Sequence, residues 1–160
     1  MPIRMVGLIS DTHALLRPEA LHALKDSDLI IHAGDVGDAT ILEELRGLAP
    51  LVAVRGNIDT VGLCAELPPT AVAEVGSDLI YVLHDLKTLD LDPRAAAVAL
   101  VVSGHSHKPA LQEKEGVLYV NPGSAGPRRF KLPVTVARVD CGAHPWRVHF
   151  IELISSGSAK

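Results

Sequence analysis

Five short apolar runs, each stopping on a polar side chain able to hold a metal ion, constrain this chain more than any other feature. Met5–Ile9 leads into Ser10-Asp11-Thr12-His13, and residues 28–32 into Ala33-Gly34-Asp35. Residues 51–54 lead into Arg55-Gly56-Asn57, residues 79–84 end on His84, and the run closing at Val102 precedes Gly104-His105-Ser106-His107. Runs of this length, rich in Val, Ile and Leu and bounded by Gly and polar residues, read as buried strands. Between the first three lie two segments with helical spacing. Pro18–Leu24 has a proline at a plausible first turn, and residues 39–48 have apolar side chains at 41, 42, 45 and 48. Strand, helix, strand, helix, strand implies parallel strands in βαβ units. In open α/β sheets ligands bind beyond the carboxyl ends of the strands, so these five loops are expected to meet at one rim.

The second half has a different grain. Thr70–Val75 and residues 79–84 flank Gly76-Ser77-Asp78, and Ala110–Lys114 and Val117–Asn121 flank Glu115-Gly116; both read as hairpins. Residues 93–98 have the composition of a short helix, residues 100–103 read as a buried strand, and 134–139 with 146–153 as a closing strand pair. A two-sheet α/β sandwich accommodates this order. The 160 residues suit one domain, assigned to residues 1–154, with 155–160 as a flexible tail.

The side chains gathered at the rim define its chemistry. Asp11, His13, Asp35, Asn57, His84, His105 and His107 form a mixed nitrogen and oxygen set, suited to Mn, Fe, Zn, Ni or Co rather than to Ca or Mg. Seven ligands exceed what one open catalytic metal takes, and suffice for two if a carboxylate bridges. Glycines 34, 56 and 104 each directly precede a candidate ligand, where backbone must approach closely. Taken singly each piece is ordinary: a D-x-H triplet is usually a solvated loop, Gly-Asp a turn, and a lone histidine a satisfied core residue. Only their order and shared placement point to a site.

Other functions fit poorly. A formal net charge of -4 and 3% aromatic residues offer neither a phosphate-tracking field nor stacking platforms, which disfavours a nuclease. The longest apolar stretch, residues 95–102, is far short of a membrane helix, and the start has no secretory leader pattern, so a cytoplasmic location is expected. Cys64 and Cys141 are too few for a disulfide framework. A homo-oligomer is compatible with all of this.

In order, D-x-H, G-D, G-N, a lone His and G-H-x-H resemble the motif series of the calcineurin-like metallophosphoesterase family, across residues 3–127. The short chain and Asn121-Pro122-Gly123-Ser124 resemble its small bacterial and archaeal phosphodiesterase branch. The resemblance implies a four-layer αββα sandwich with two mixed sheets. It implies one metal held by Asp11, His13, Asp35 and His107, and a second by Asp35, Asn57, His84 and His105, with Asp35 bridging. Manganese is the expected metal. The implied activity is hydrolysis of a small phosphate ester, foremost a phosphodiester, by a hydroxide shared between two cations, with Asn57, His84 and His105 nearest the chemistry.

This chain departs from the family pattern in two places. Many members have His directly after the G-N pair, where it assists the leaving group; the small phosphodiesterase branch usually has Cys; here the residue is Ile58, which can do neither. Esters with good leaving groups are therefore expected to be preferred. Asp85 replaces the usual Gly after the lone His, and it either orients a ligand or faces solvent. Asp59 divides the same way, between support for a ligand and a turn. Arg128, in the Arg128-Arg129 pair, is a candidate phosphate contact, and His32 a buried structural histidine. The competing reading is a non-catalytic scaffold of the same fold, as in a eukaryotic trafficking subunit. Such members lose a metal-binding His, whereas all seven positions are filled here.

Overall fold

Alternation along the strands sorts the apolar side chains into layers. The computed structural model describes residues 2–154, so the tail assigned to 155–160 lies outside the described residues. In the first sheet β1 (Met5–Ile9) runs parallel to β2 (Leu29–His32), which runs parallel to β3 (Leu51–Ala53). The second sheet contains β4 (Thr70–Val75), β5 (Asp78–Leu83), β6 (Val98–Val102), β7 (Ala110–Lys114) and β8 (Val117–Asn121), in the order β4-β5-β6-β8-β7. The chain then returns to the first sheet as the hairpin β9 (Thr135–Asp140) and β10 (Arg147–Glu152), giving β10-β9-β1-β2-β3 with β9 antiparallel to β1. Both sheets are mixed, as expected.

Val6, Leu8, Leu29 and Ile31 of the first sheet meet Ile80, Val82, Leu100, Val102 and Val120 of the second, and this is the central core. Burying side chains of this kind contributes about 1.5–3 kcal/mol each. The alternate residues Ile9 and Ile30 face outward, beneath the helices α1 (Pro18–Leu24) and α2 (Ala39–Arg46), which contribute Ala20, Leu24, Ile41, Leu42 and Leu45. Proline opens α1, and Asp38 caps α2 by accepting from the Thr40 amide at 3.0 Å. A Cβ on Gly7 would lie 2.7 Å from Leu24 Cδ2, so glycine lets α1 sit close on β1.

The fourth layer, over the outer face of the second sheet, is thin. Tyr81, Leu83, Val101 and Val117 are covered by the segment between β5 and β6, which contributes Leu89 and Leu91 and a 3-10 turn, Leu86–Thr88. The helix expected over 93–98 is a single turn. Asp92 caps it at the Arg94 amide, and Ala97, at φ 61°, closes it through bonds from the Val98 amide to the Pro93 carbonyl and from Ala97 to Arg94. That is a Schellman stop, and Val98 passes directly into β6. Cys64 and Cys141 are free thiols. No helix among the described residues is long and apolar enough to cross a membrane.

Candidate metal centre

Both sheets present their carboxyl-terminal strand ends to one rim. Asp11 and His13 follow β1, Asp35 follows β2, His84 directly follows β5, and His105 and His107 follow β6. The structure brings these six side chains together. Asp35 Oδ2 lies 3.4 Å from His13 Nε2 and 3.3 Å from His84 Nε2. Asp11 Oδ1 lies 3.4 Å from His107 Nε2, 3.8 Å from His13 Nε2 and 3.9 Å from His84 Nε2. His105 Nδ1 is 3.4 Å from His84 Nε2. Asn57 is exposed in the turn after β3, directly before Ile58, whose amide donates to Asp35 Oδ1 at 3.1 Å.

The supporting contacts aim these groups. Asp11 Oδ2 accepts from the Ser10 hydroxyl at 2.7 Å and from the His105 amide at 3.1 Å, so the carboxylate is pinned across both sheets. The Ser124 hydroxyl donates to the Asp11 carbonyl at 3.0 Å. His84 Nδ1–H donates to the Ala33 carbonyl at 2.8 Å, which leaves Nε2 with its lone pair facing the cluster. Asn121 donates to the Gly104 carbonyl at 2.9 Å and to Ser106 Oγ at 3.1 Å, holding the loop that carries His105 and His107.

Two further residues brace the rim from behind. Asp59 is buried and accepts from the amides of Val36 at 3.1 Å, Gly37 at 3.0 Å and Gly56 at 2.8 Å. It therefore ties the Asp35 loop to the Asn57 loop, which resolves the choice between support and a simple turn. His32 is fully buried, as expected of a structural histidine. Its Nδ1 accepts from the Gly34 amide at 3.1 Å. Thr12 Oγ1 donates to the Val36 carbonyl at 2.9 Å, so His32 Nε2–H donates to that hydroxyl at 3.0 Å. Burial drives His32 down to about 4, against the pull of the Asp11 and Asp59 charges. It is a neutral strut.

The glycines are explained by crowding. A Cβ on Gly56 would strike Asp35, one on Gly104 would strike Ser10 Oγ and lie 2.6 Å from Asp11 Oδ2, and one on Gly34 would lie 2.7 Å from His84 Nδ1. Strain is concentrated on the candidate ligands themselves. Asp11, His13, Asp35, His105 and His107 all have left-handed backbone, with φ between 45° and 73°. Such conformations each cost on the order of 1 kcal/mol or more and gather where function demands them.

A cation fits this donor set. Asp11 Oδ1 is buried and accepts no hydrogen bond, while three imidazole nitrogens surround it. His13 Nε2 and His107 Nε2 face each other at 3.3 Å, an approach that needs a proton or a cation between the lone pairs. Burial alone would raise Asp35 and lower His84. The hydrogen bond between the two side chains, with the Ile58 amide and the His13 charge acting on Asp35 and the Ala33 carbonyl on His84, overturns both: Asp35 sits at about 2 and His84 is raised. Such a field stabilises positive charge beside Asp35. Ligand atoms of Asp11, His13 and His107 lie within 4.8 Å of one another, as do those of Asp11, Asp35 and His84. Asp11 thus belongs to both groups by distance, a sharing that motif order does not reveal.

The remaining sequence candidates fall around this cluster. Asp85 accepts from the Lys87 amide and lies 3.9 Å from His105 Nε2, so it faces His105 rather than orienting His84. Arg128 is half-buried. Burial lowers His107, and the charge of Arg129 adds to that lowering. The Gly-rich segment before it lies against Thr12, with Arg17 donating to the Gly126 carbonyl at 3.1 Å. Ser10 and Asn121, which anchor the ligands, had no sequence signal as site residues beyond their neighbours.

Comparison with known proteins agrees with this geometry. A family model described as "Calcineurin-like phosphoesterase superfamily domain" matches residues 5–144. A probable metallophosphoesterase of Methanothermobacter thermautotrophicus is 36% identical over 150 residues, covering 85% of this chain and 86% of that one. Among solved structures, an archaeal phosphodiesterase superposes with a TM-score of 0.76 at 23% identity, over 92% of this chain and 99% of that one. Vps29 of Entamoeba histolytica, solved with Zn, superposes at 0.70 and 21% identity, over 94% and 99%.

Proposed function

We propose that this chain, which belongs to the calcineurin-like phosphoesterase superfamily, is a metal-dependent phosphodiesterase acting on small phosphodiesters. The observation that carries the reading is the position of Asp35 Oδ2, within 3.4 Å of an imidazole nitrogen from each sheet. A carboxylate so placed is suited to bridge two divalent cations. Asp11, His13, Asp35 and His107 would hold one, and Asp35, Asn57, His84 and His105 the other. Manganese suits this donor set, and Fe, Zn, Ni and Co are the alternatives. When bound, such a pair supplies Lewis acidity, a nucleophile at neutral pH and charge neutralisation at phosphorus.

The chain's own part is positioning. Ser10, the His105 amide and the Ala33 carbonyl fix the ligand orientations before substrate arrives, so little reorganisation is needed during reaction. Arg129 adds positive charge on the His107 side, where it would meet a phosphate oxygen. Ile58, half exposed at the rim with its amide donating to Asp35 Oδ1 at 3.1 Å, offers no proton to a departing oxygen. The leaving group must therefore depart as a stable anion, which favours aryl esters over alkyl monoesters. A scaffold role is disfavoured because each of the seven ligand positions carries a metal-competent side chain.

The test uses the full chain, stripped with a chelator and reloaded with Mn²⁺, Ni²⁺, Co²⁺ or Zn²⁺. Release of p-nitrophenol from bis-p-nitrophenyl phosphate is expected with at least one metal, and elemental analysis is expected to find two ions per chain. No turnover with any of the four would overturn the enzymatic reading in favour of a scaffold. Fewer than two ions bound would overturn the two-metal centre.

A further inference from the structure

A cavity of about 540 Å³ opens beside His105, and neither Asp11 nor Asp35 lines it. His105 belongs to both places: its Nδ1 lies 3.4 Å from His84 Nε2, and its ring lines the cavity. The cavity exists because the fourth layer is thin. The turn Leu86–Thr88 roofs one side of the second sheet's outer face, and no helix of the described residues fills the space next to it. On the floor, Tyr119 pairs across the ladder with Gln112, and Asn121 with Ala110, so one face of the β7–β8 hairpin is turned to the opening.

The lining selects the chemistry of an occupant. Leu86, Ala110 and Tyr119 are apolar or aromatic. Asn121 is committed to Gly104 and Ser106. Asp85 stands at the His105 edge, 3.9 Å from Nε2, and Lys87 lines the same cavity, so the two charges offset each other and the lining has no net charge to select a charged substituent. Pockets of this volume enclose ring-sized ligands, and a tyrosine ring favours an aromatic partner.

Building on the phosphodiesterase reading above, we infer that this cavity is a specificity subsite. It takes an uncharged, ring-bearing ester substituent of the phosphodiester, seated against Tyr119 while the phosphate lies at the His105 side of the metal centre. A chain ordered this way discriminates between phosphodiesters by the substituent, independently of the leaving group.

Equilibrium binding separates this inference from the question of turnover. Diphenyl phosphate and dimethyl phosphate are titrated calorimetrically into the Mn²⁺-loaded full chain. Burial of one phenyl ring predicts that diphenyl phosphate binds at least about tenfold tighter. Ala110→Trp, at an exposed edge-strand position, fills the cavity and is expected to abolish that preference while leaving dimethyl phosphate binding within about twofold. Tyr119→Leu is expected to reduce the preference with the fold intact by circular dichroism. Equal binding of the two esters by the unaltered chain, or an undiminished preference in Ala110→Trp, would overturn the subsite. A preserved preference in a chain that hydrolyses nothing would leave the subsite standing and overturn the enzymatic reading.

Discussion

Acid should undo this fold through His32 in a measurable way. The residue is fully buried, and burial lowers it from 6.5 to about 4. Its folded value lies below its unfolded value, so between these limits the unfolded chain binds the extra proton. Stability is therefore complete above about pH 6.5 and is lost as pH falls toward 4. At about 1.4 kcal/mol for each pKa unit, the loss is about 3 kcal/mol, a substantial share of the roughly 5–15 kcal/mol available to a domain. Geometry gives the same sign: a protonated Nδ1 would point its new hydrogen at the Gly34 amide, donor against donor. The assay is urea unfolding of the chelator-treated chain from pH 7.5 to 4, compared with His32→Asn, whose side-chain oxygen can still accept from Gly34. The variant is expected to be weaker at pH 7.5, having lost the Thr12 bond, and to converge with the unaltered chain near pH 4. Parallel loss of stability in the two proteins across that range would refute the assignment.

Asp59→Ala leaves three loop amides without an acceptor and is expected to destabilise the chain by about 3 kcal/mol in urea. The loss of turnover should exceed the unfolded fraction, because the Asp35 and Asn57 loops come apart. Gly104→Ala drives a methyl group into Ser10 and Asp11, so a loss of about 1–3 kcal/mol and a fall in bound metal are expected by thermal denaturation and elemental analysis. Ile58→His restores a proton donor beside Asp35, and the ratio of alkyl to aryl ester hydrolysis should rise about tenfold or more. An unchanged ratio would show that leaving-group assistance is not what position 58 controls.

Much of the architecture was legible because it is local. Continuous apolar runs such as residues 98–102 and alternation in the two tight hairpins identify strands without reference to partners, and the ligands stand directly after them. What escaped was non-local or decided by a single backbone angle. The composition of 93–98 suits a helix, yet Ala97 adopts φ 61° and stops it after one turn. The pairing of β9 with β1 joins residues more than a hundred positions apart, and no periodicity encodes it. The roles of His32 and Asp59 depend on groups twenty or so residues away, the Thr12 hydroxyl for His32 and the Val36 and Gly37 amides for Asp59. The cavity beside His105 is written nowhere as a motif, since it arises from what the second sheet's outer layer lacks.

The cluster draws one half of its ligands from each sheet, and that gives it a part to play in assembly. Residues up to Asn57 bring Asp11, His13 and Asp35, but the imidazoles of His84, His105 and His107 arrive only with the second sheet. The 3.3 Å approaches of His13 to His107 and of Asp35 to His84 both span the seam. A slip of the sheets by one residue, about 3.3 Å, would separate every such pair. Any cation held there acts as a latch that closes only on the correctly aligned sandwich, adding about 2.7 kcal/mol when present at a hundredfold over its dissociation constant. A ribosome releasing this chain N-terminus first would therefore leave the latch open until the second half has docked, and metal uptake would mark the moment at which folding is finished.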